Sequence, residues 1–297
     1  MIKPLVSIII PTYNRQLTIR RAIDSVLSQS YSNIEIIVVD DCSNDNTYLI
    51  LENFKSDDRV QYIRLDKNVG GGGARNLGIK ASKGEYIAFQ DSDDVWLEDK
   101  LEKQMNAFFE NKELDVVFCK IKRISSNSIS VFPSKDISRA KNLHIELLKA
   151  NYIGTPSAII KKSCLLSIGG FDESLPRLQD WDLFIRLSFS YNYFMINEVL
   201  CDAYLQDNSI TKNTKALIKT INIFNIKFKD QIGSLARKDK SSVYEKYGSM
   251  LINEDEKSLS IKFFKKAILQ YPFRLMLIIK FIIIILFGLK NYKKIKR

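Results

Sequence analysis

The chain has 297 residues, 45% of them hydrophobic and 27% charged, enough for one large domain or two coupled ones with a substantial core. That composition excludes disorder, collagen-like repetition and a polytopic membrane protein. The formal charge of +11 is concentrated in the tail: residues 261–297 hold ten basic side chains and no acidic one, so the remainder sums to +1 and does not describe a nucleic-acid-binding body.

In chain order, the first half alternates strand and helix signals. Leu5–Ile10 is an apolar run stopped by Pro11, shorter than a signal-peptide core and read as a buried strand. Helical spacing follows over Thr18–Leu27, and Ile34–Val39 is a β-branched run that implies burial on both faces. A short helix near Asn46–Phe54, a strand over Val60–Leu65 and a helix opened by Gly70–Gly73 and running through Ala81 come next. Glu85–Phe89 reads as strand, Leu97–Phe109 as helix and Asp115–Cys119 as a fifth strand. This alternation predicts an α/β fold with a mostly parallel sheet, in which ligands collect at the carboxyl ends of the strands.

From Val116 to Thr211 the rhythm weakens. Lys122–Arg139 is polar, suiting a loop or an edge hairpin; Ile145–Ala150 is helical, Ala158–Ile160 strand-like, and Ser163–Ile168 a helix closed by Gly169-Gly170. Asp180–Phe189 is an amphipathic helix with Leu183, Phe184 and Leu187 inward, and beyond Thr211 the pattern is helical and Lys-rich. Cys42, Cys119, Cys164 and Cys201 are scattered without a Cys-x-x-Cys pair, and His144 is the single histidine. That is too sparse for a zinc site or a disulfide framework and points to a reduced, cytosolic setting.

The residues after the strands carry the chemistry. Pro11-Thr12-Tyr13-Asn14 follows the first, Asp40-Asp41 the second and Asp91-Ser92-Asp93-Asp94 the fourth, so acid gathers at one rim. Two carboxylates one residue apart can hold Mg2+ or Mn2+ between protein and a diphosphate; the same acids also suit a turn with a helix cap. Asp40-Asp41 can accept from a uracil ring or ribose hydroxyls, or cap the Asn46 helix. Gly70–Gly73 permits close backbone approach with Arg75 facing a nucleotide, or is simply a flexible loop. Asp180, after Gln179 and before Trp181-Asp182, can be a general base if substrate desolvates it, or a helix cap.

Together and in this order, these segments resemble a family 2 glycosyltransferase with the GT-A fold. Val6-Ser7-Ile8-Ile9-Ile10-Pro11-Thr12-Tyr13-Asn14 resembles its opening strand and nucleotide loop, and Val38-Val39-Asp40-Asp41-Cys42-Ser43 its second strand end, with Cys42 where the family usually has glycine. Gly73-Ala74-Arg75-Asn76-Leu77-Gly78 is similar to its central helix start and Asp91-Ser92-Asp93 to its DXD motif. Gly169-Gly170-Phe171-Asp172-Glu173 and Gln179-Asp180-Trp181-Asp182 resemble its acceptor-side segment with the catalytic base; members often carry Glu-Asp where this chain has Gln179-Asp180. Where many members place a histidine, the stretch Tyr204-Leu205-Gln206-Asp207-Asn208-Ser209 has none.

The resemblance implies an inverting transferase that moves a sugar from a nucleotide diphosphate donor, a UDP-sugar, to a glycan or lipid-linked glycan, in cell-envelope polysaccharide synthesis. It implies that Pro11, Thr12, Tyr13, Asp40, Asp41, Arg75, Asp91 and Ser92 bind donor, with Asp91 near ribose. Asp93, with Asp91, would hold Mn2+ or Mg2+, Asp180 would be the base, and Gly170, Phe171, Asp172, Gln179 and Trp181 would lie on the acceptor side. The expected organisation is a nucleotide-sugar-binding half over 1–115, an acceptor and base half over 116–215, and a helical basic extension over 216–297. Leu275–Leu289 is apolar but only about 22 Å long as a helix, short of a ~30 Å bilayer core, and is broken by Lys280. It suits a peripheral anchor at the anionic cytoplasmic face of the cell membrane, or a helix packed on the domain. Sugar-phosphate nucleotidyl transfer and a non-catalytic membrane-associated scaffold are the alternative functions; the first would want a basic Gly-rich loop where Pro11-Thr12-Tyr13-Asn14 stands.

Overall fold

The computed structural model describes residues 3–138, 142–205, 214–254 and 256–295, and the chain divides into two units. The segment Gln206–Ser209, Arg139, Lys296 and Arg297 lie outside the described residues, and of Lys290, Lys293 and Lys294 only the backbone is described.

The first unit comprises residues 1–141, 152–174 and 179–207. Its elements open with β1 (Val6–Thr12), α1 (Ile19–Leu27), β2 (Ile34–Asp40), α2 (Thr47–Glu52), β3 (Val60–Arg64), α3 (Gly70–Ala81) and β4 (Tyr86–Phe89). These strands pair in parallel in the order β3-β2-β1-β4. The reason lies in the β-branched runs: Ile8, Ile9 and Ile10 of β1 and Ile36 to Val39 of β2 are all fully buried. Alternate side chains serve opposite faces. Ile8, Ile10, Ile36 and Val38 share a core with Ile23 and Val26 of α1, whereas Ile37 and Val39 pack against Ala74 of α3. Gly78 lets α3 lie directly on β1, since a Cβ there would come within 2.4 Å of Ile9 Cγ2.

After β4 the chain makes β5 (Val95–Trp96), α4 (Lys100–Glu110), β6 (Val116–Ser125) and β7 (Ser128–Phe132), and, after α5 (Leu143–Lys149), β8 (Ala158–Lys161), α6 (Lys162–Ser167), α7 (Gln179–Ser188) and β9 (Tyr193–Tyr204). β8 runs antiparallel between β4 and β6, β9 lies parallel to β6, and β5 and β7 add antiparallel to β9 and β6. The result is an α/β sheet whose helices flank it on both faces. The parallel half follows the sequence expectation within a residue or two at most ends. The edge hairpin expected within Lys122–Arg139 forms as β7 against the end of β6. Three features differ: the fifth expected strand continues to Ser125, β5 is a two-residue strand, and β9 was not anticipated. Two register shifts between β6 and β9 leave exposed Asn197 and Glu198, and then buried Leu200, outside the pairing, so β9 lacks a clean alternation.

The second unit comprises residues 142–151, 175–178 and 208–297. It contains α5, α8 (Thr214–Lys227), α9 (Lys229–Ser234), α10 (Arg237–Asn253), α11 (Lys257–Gln270) and α12 (Leu275–Ile295). Ile252, Phe264, Ala267, Leu277 and Ile284 make a core between α10, α11 and α12. Ser260 Oγ donates to the Gly248 carbonyl at 2.9 Å, fixing α11 against α10. Among the described residues no helix is long and apolar enough to cross a membrane.

Candidate active site

The site begins where β1 and β2 end side by side. The Asp41 amide donates to the Thr12 carbonyl at 2.8 Å, and beyond it the two loops are stitched: Asn14 N to Ser43 Oγ, Asn44 N to Asn14 Oδ1, Arg15 N to Thr47 Oγ1. Cys42 turns the chain with φ +67°, a left-handed conformation that explains the family's glycine there. Asp40 is fully buried, one oxygen accepting from Ser43 N at 2.9 Å and the other from Tyr62 Oη at 2.8 Å. Its carboxylate therefore builds the turn. Asp41 accepts from Val69 N at 2.6 Å and Gly70 N at 2.9 Å. It caps the positive end of α3, not the Asn46 helix that the sequence suggested as an alternative. Pro11 is half-buried in β1, Tyr13 is exposed on the rim, and Thr12 Oγ1 is buried with no hydrogen-bond partner among the described residues.

The glycine run is the first turn of α3, and α3 links both sides of the site. Arg75 donates to Asp91 Oδ1 at 2.7 Å, with its guanidinium carbon 5.5 Å from the centre of the Phe171 ring. Asn76 Nδ2 donates to the Phe171 carbonyl and to Glu173, and its Oδ1 accepts from Phe171 N at 2.8 Å. Gly72 faces the Gln179 amide so closely that a Cβ would sit 2.8 Å from it. One helix thus holds the acidic turn after β4 and the start of α7.

That acidic turn is tight, with Asp94 N donating to the Asp91 carbonyl at 3.1 Å and Ser92 buried. Arg15 stands 3.5 Å from Asp93 Oδ2. Arg21 donates to the Asp93 carbonyl and stacks 4.0 Å from the Tyr204 ring, while Tyr204 N donates to Asp94 at 3.1 Å. Burial, then the Asp91 charge, raises the Asp93 carboxyl above its ordinary range. Burial and the charges of Asp91 and Asp93 push Asp94 up to about 9. Carboxylates crowded in this way are what a divalent cation relieves. Among the described residues no group of three His, Cys, Asp or Glu could hold a metal by itself. Asp91 and Asp93, half-buried beside Arg75 and Arg15, are the carboxylate pair available here to Mg2+ or Mn2+, which keep positions for phosphate oxygens.

On the other side, Leu178 takes φ +59° immediately before α7. Asp180 is half-buried in the first turn of that helix, near its positive end. Trp181, expected on the acceptor side, is 1% exposed and belongs to the core; Phe171 is buried edge-on against Phe89 at 5.2 Å. Asp172 accepts from Ser174 N and Oγ, shaping its own loop. Asp182 pairs with Arg186 at 2.7 Å, and Arg186 also donates to the Ile168 and Gly170 carbonyls. Gly169 and Gly170 both have positive φ.

Sequence reasoning passed over Arg21, Tyr204 and above all Arg123. The last extends from β6, its guanidinium carbon over the Phe132 ring at 3.7 Å from the centre. Burial lowers its pKa, while the carboxylates of Asp180 and then Asp94 act to raise it. Arg123 therefore sits in the field of both the expected base and the acidic turn. Nothing local in a polar β-strand marks it.

The profile of Glycosyl transferase family 2 matches residues 7–165. The chain is 35% identical over 211 residues to the Escherichia coli UDP-Glc:alpha-D-GlcNAc-diphosphoundecaprenol beta-1,3-glucosyltransferase WfgD, covering 70% of this chain and 80% of that one. It is 38% identical to uncharacterized glycosyltransferases of Rickettsia typhi and Rickettsia prowazekii, of whose lengths it spans 66% and 63%. Among solved structures, S. aureus TarS residues 1–349 with UDP-GlcNAc superimposes with TM-score 0.61 at 20% identity, over 89% of this chain and 72% of that one. The Pyrobaculum calidifontis mannosyltransferase PcManGT, in complex with GDP-Man and Mn2+, gives 0.60 at 15% identity, over 99% and 84%. The chain is thus an enzyme with the GT-A fold, and it belongs to glycosyl transferase family 2.

Proposed function

We propose that this enzyme transfers a sugar, with inversion, from a UDP-sugar to a hydroxyl of a glycan or lipid-linked glycan in cell-envelope polysaccharide synthesis. It would work as a peripheral protein at the cytoplasmic face of the cell membrane. The observation that carries the reading is the position of α3, which pairs Arg75 with Asp91 and is approached at Gly72 by Gln179, so that one helix borders both the donor-type acids and the Asp180 helix. WfgD, whose name gives UDP-glucose and a diphospholipid-linked acceptor, and TarS, solved with UDP-GlcNAc, support the donor and acceptor classes. PcManGT, solved with Mn2+, supports the cation.

In this reading Thr12, whose buried hydroxyl has no partner among the described residues, accepts from or donates to the nucleoside together with Tyr13 and Arg75. Asp41 fixes the α3 amides beside it, and Asp40, Pro11 and Ser92 hold the loops in shape. Asp91 faces the ribose, and Asp93 with Asp91 would hold the divalent cation. The cation, when bound, supplies neutralisation for negative charge on the leaving diphosphate. The acceptor oxygen attacks the anomeric carbon from the side opposite the diphosphate; its proton passes to Asp180 as the bond from carbon to the phosphate oxygen breaks. Arg123, whose charge interacts with the Asp180 carboxylate, would hold positive charge on the side of the site where the acceptor is deprotonated. Gly170, Asp172 and Gln179 border the acceptor, while Phe171 and Trp181 seat the segments that carry them.

The test is Asp180→Asn. Transfer is expected to fall about 10²–10⁴-fold while Mn2+-dependent thermal stabilisation by the donor is retained. Near-normal transfer by this variant would remove Asp180 from its role.

A further inference from the structure

α12 has two apolar faces, and among the described residues only one of them has a partner in the fold. Leu277 and Ile284 are buried against Ile252, Phe264 and Ala267. On the opposite side Leu275, Ile279, Ile282 and Leu286 repeat at i, i+4, i+7 and i+11, which is one stripe of a helix, and all four are exposed, Leu275 and Leu286 by more than two-thirds. Met276 and Ile285 flank the stripe, and Phe273 in the preceding turn is 84% exposed. So long an outward apolar stripe marks an interaction surface.

We propose that α12 is an in-plane membrane anchor whose outward stripe docks on an anionic lipid surface. The inference deepens the membrane location proposed above and rests on it. Lys280 would seem to spoil such a surface, because it interrupts the apolar run in the sequence. In the fold it turns inward: its Nζ pairs with Glu245 Oε1 of α10 at 2.7 Å, and Arg274 pairs with the same carboxylate. The stripe is left free of charge along about 17 Å of helix.

The composition selects lipid over a second copy of the chain. Residues 261–297 contain ten basic residues and no acidic one, and Lys262 and Lys265 are exposed on α11. A dimer through this face would bring two such segments together and repel, whereas an anionic leaflet attracts them. The apolar run of the helix is too short and too interrupted to cross, so the helix lies in the interface, where an amphipathic helix buries its apolar side among headgroups and acyl chains.

The test is co-sedimentation of the full chain, without donor or acceptor, with phosphatidylcholine vesicles containing about one-third phosphatidylglycerol. Binding is expected, weaker on pure phosphatidylcholine and weaker in high salt. The Ile279→Glu, Ile282→Glu double variant is expected to lose at least about tenfold in bound fraction with unchanged melting. Should its melting drop, Ile279→Ser with Ile282→Ser replaces it. Vesicle binding equal to wild type in the folded double variant overturns the proposal. So does a wild type that ignores anionic vesicles, or a wild-type dimer that the double variant dissolves without any vesicle binding. Because neither substrate is present, a negative result here leaves the transferase reading intact, and failure of the Asp180→Asn test leaves vesicle binding to be judged on its own.

Discussion

Cys42 holds a left-handed backbone at the bend between β2 and the loop that reaches α3. A Cβ in that conformation costs about 1–2 kcal/mol, which glycine avoids at an entropic cost of about 0.5–1 kcal/mol. Cys42→Gly is therefore expected to leave stability unchanged or raise it by up to about 1 kcal/mol, read from the urea midpoint at constant slope. The bend is worth this strain because it aims Asp41 at the α3 amides and Asp40 at Tyr62. Neighbouring carboxylates thus divide their labour, and adjacency in the chain says nothing about which does what. The same holds across the site: Asp180 and Asp182 share a turn, yet one is half-buried in the Arg123 field and the other is wholly buried in a pair with Arg186.

At the scale of elements, α3 is the organising piece, and its contact with β1 has no slack. Gly78→Ala puts a methyl group 2.4 Å from Ile9 Cγ2, so the helix must shift off the strand. A loss of about 1–3 kcal/mol is expected, with a lower melting temperature and weaker donor binding, since Arg75 moves with the helix. The elements around α3 are also those that sequence reasoning read well. β1 and β2 announce themselves because both of their faces are buried, which leaves unbroken Ile and Val runs. The rim acids were legible for a related reason: polar residues straight after such runs must lie at the strand ends. β9 carried no such signature, because its unpaired Asn197 and Glu198 break the period, so that buried Met195, Leu200 and Cys201 follow no simple alternation. Nor can sequence tell a buried aromatic from a lining one, so Trp181 and Phe171 read as acceptor-side residues although they pack inward. Arg123 escaped because its significance depends on Asp180, far along the chain, being brought to its field.

At the scale of the molecule, the second unit is not a simple tail. It draws in residues 142–151 and 175–178, and Leu147, Leu148 and Leu175 from those upstream pieces are buried. A chain cut after residue 207 loses α8 to α12 and leaves these leucines uncovered. Such a truncation is expected to aggregate or bind a hydrophobic dye, whereas the full chain elutes as a discrete species by size-exclusion chromatography. The match to the family profile stops at residue 165, so the boundary suggested by homology does not coincide with one at which the polypeptide can be severed.

That interleaved path also limits how relatives could trade parts. A crossover placed between the two units would have to exchange three separate stretches of the gene at once, because a foreign C-terminal segment arrives without the short upstream ribbons shaped to fit it. Chimaeras that carry 142–151 and 175–178 along with everything from 208 onward respect the natural seam, and single-crossover hybrids do not.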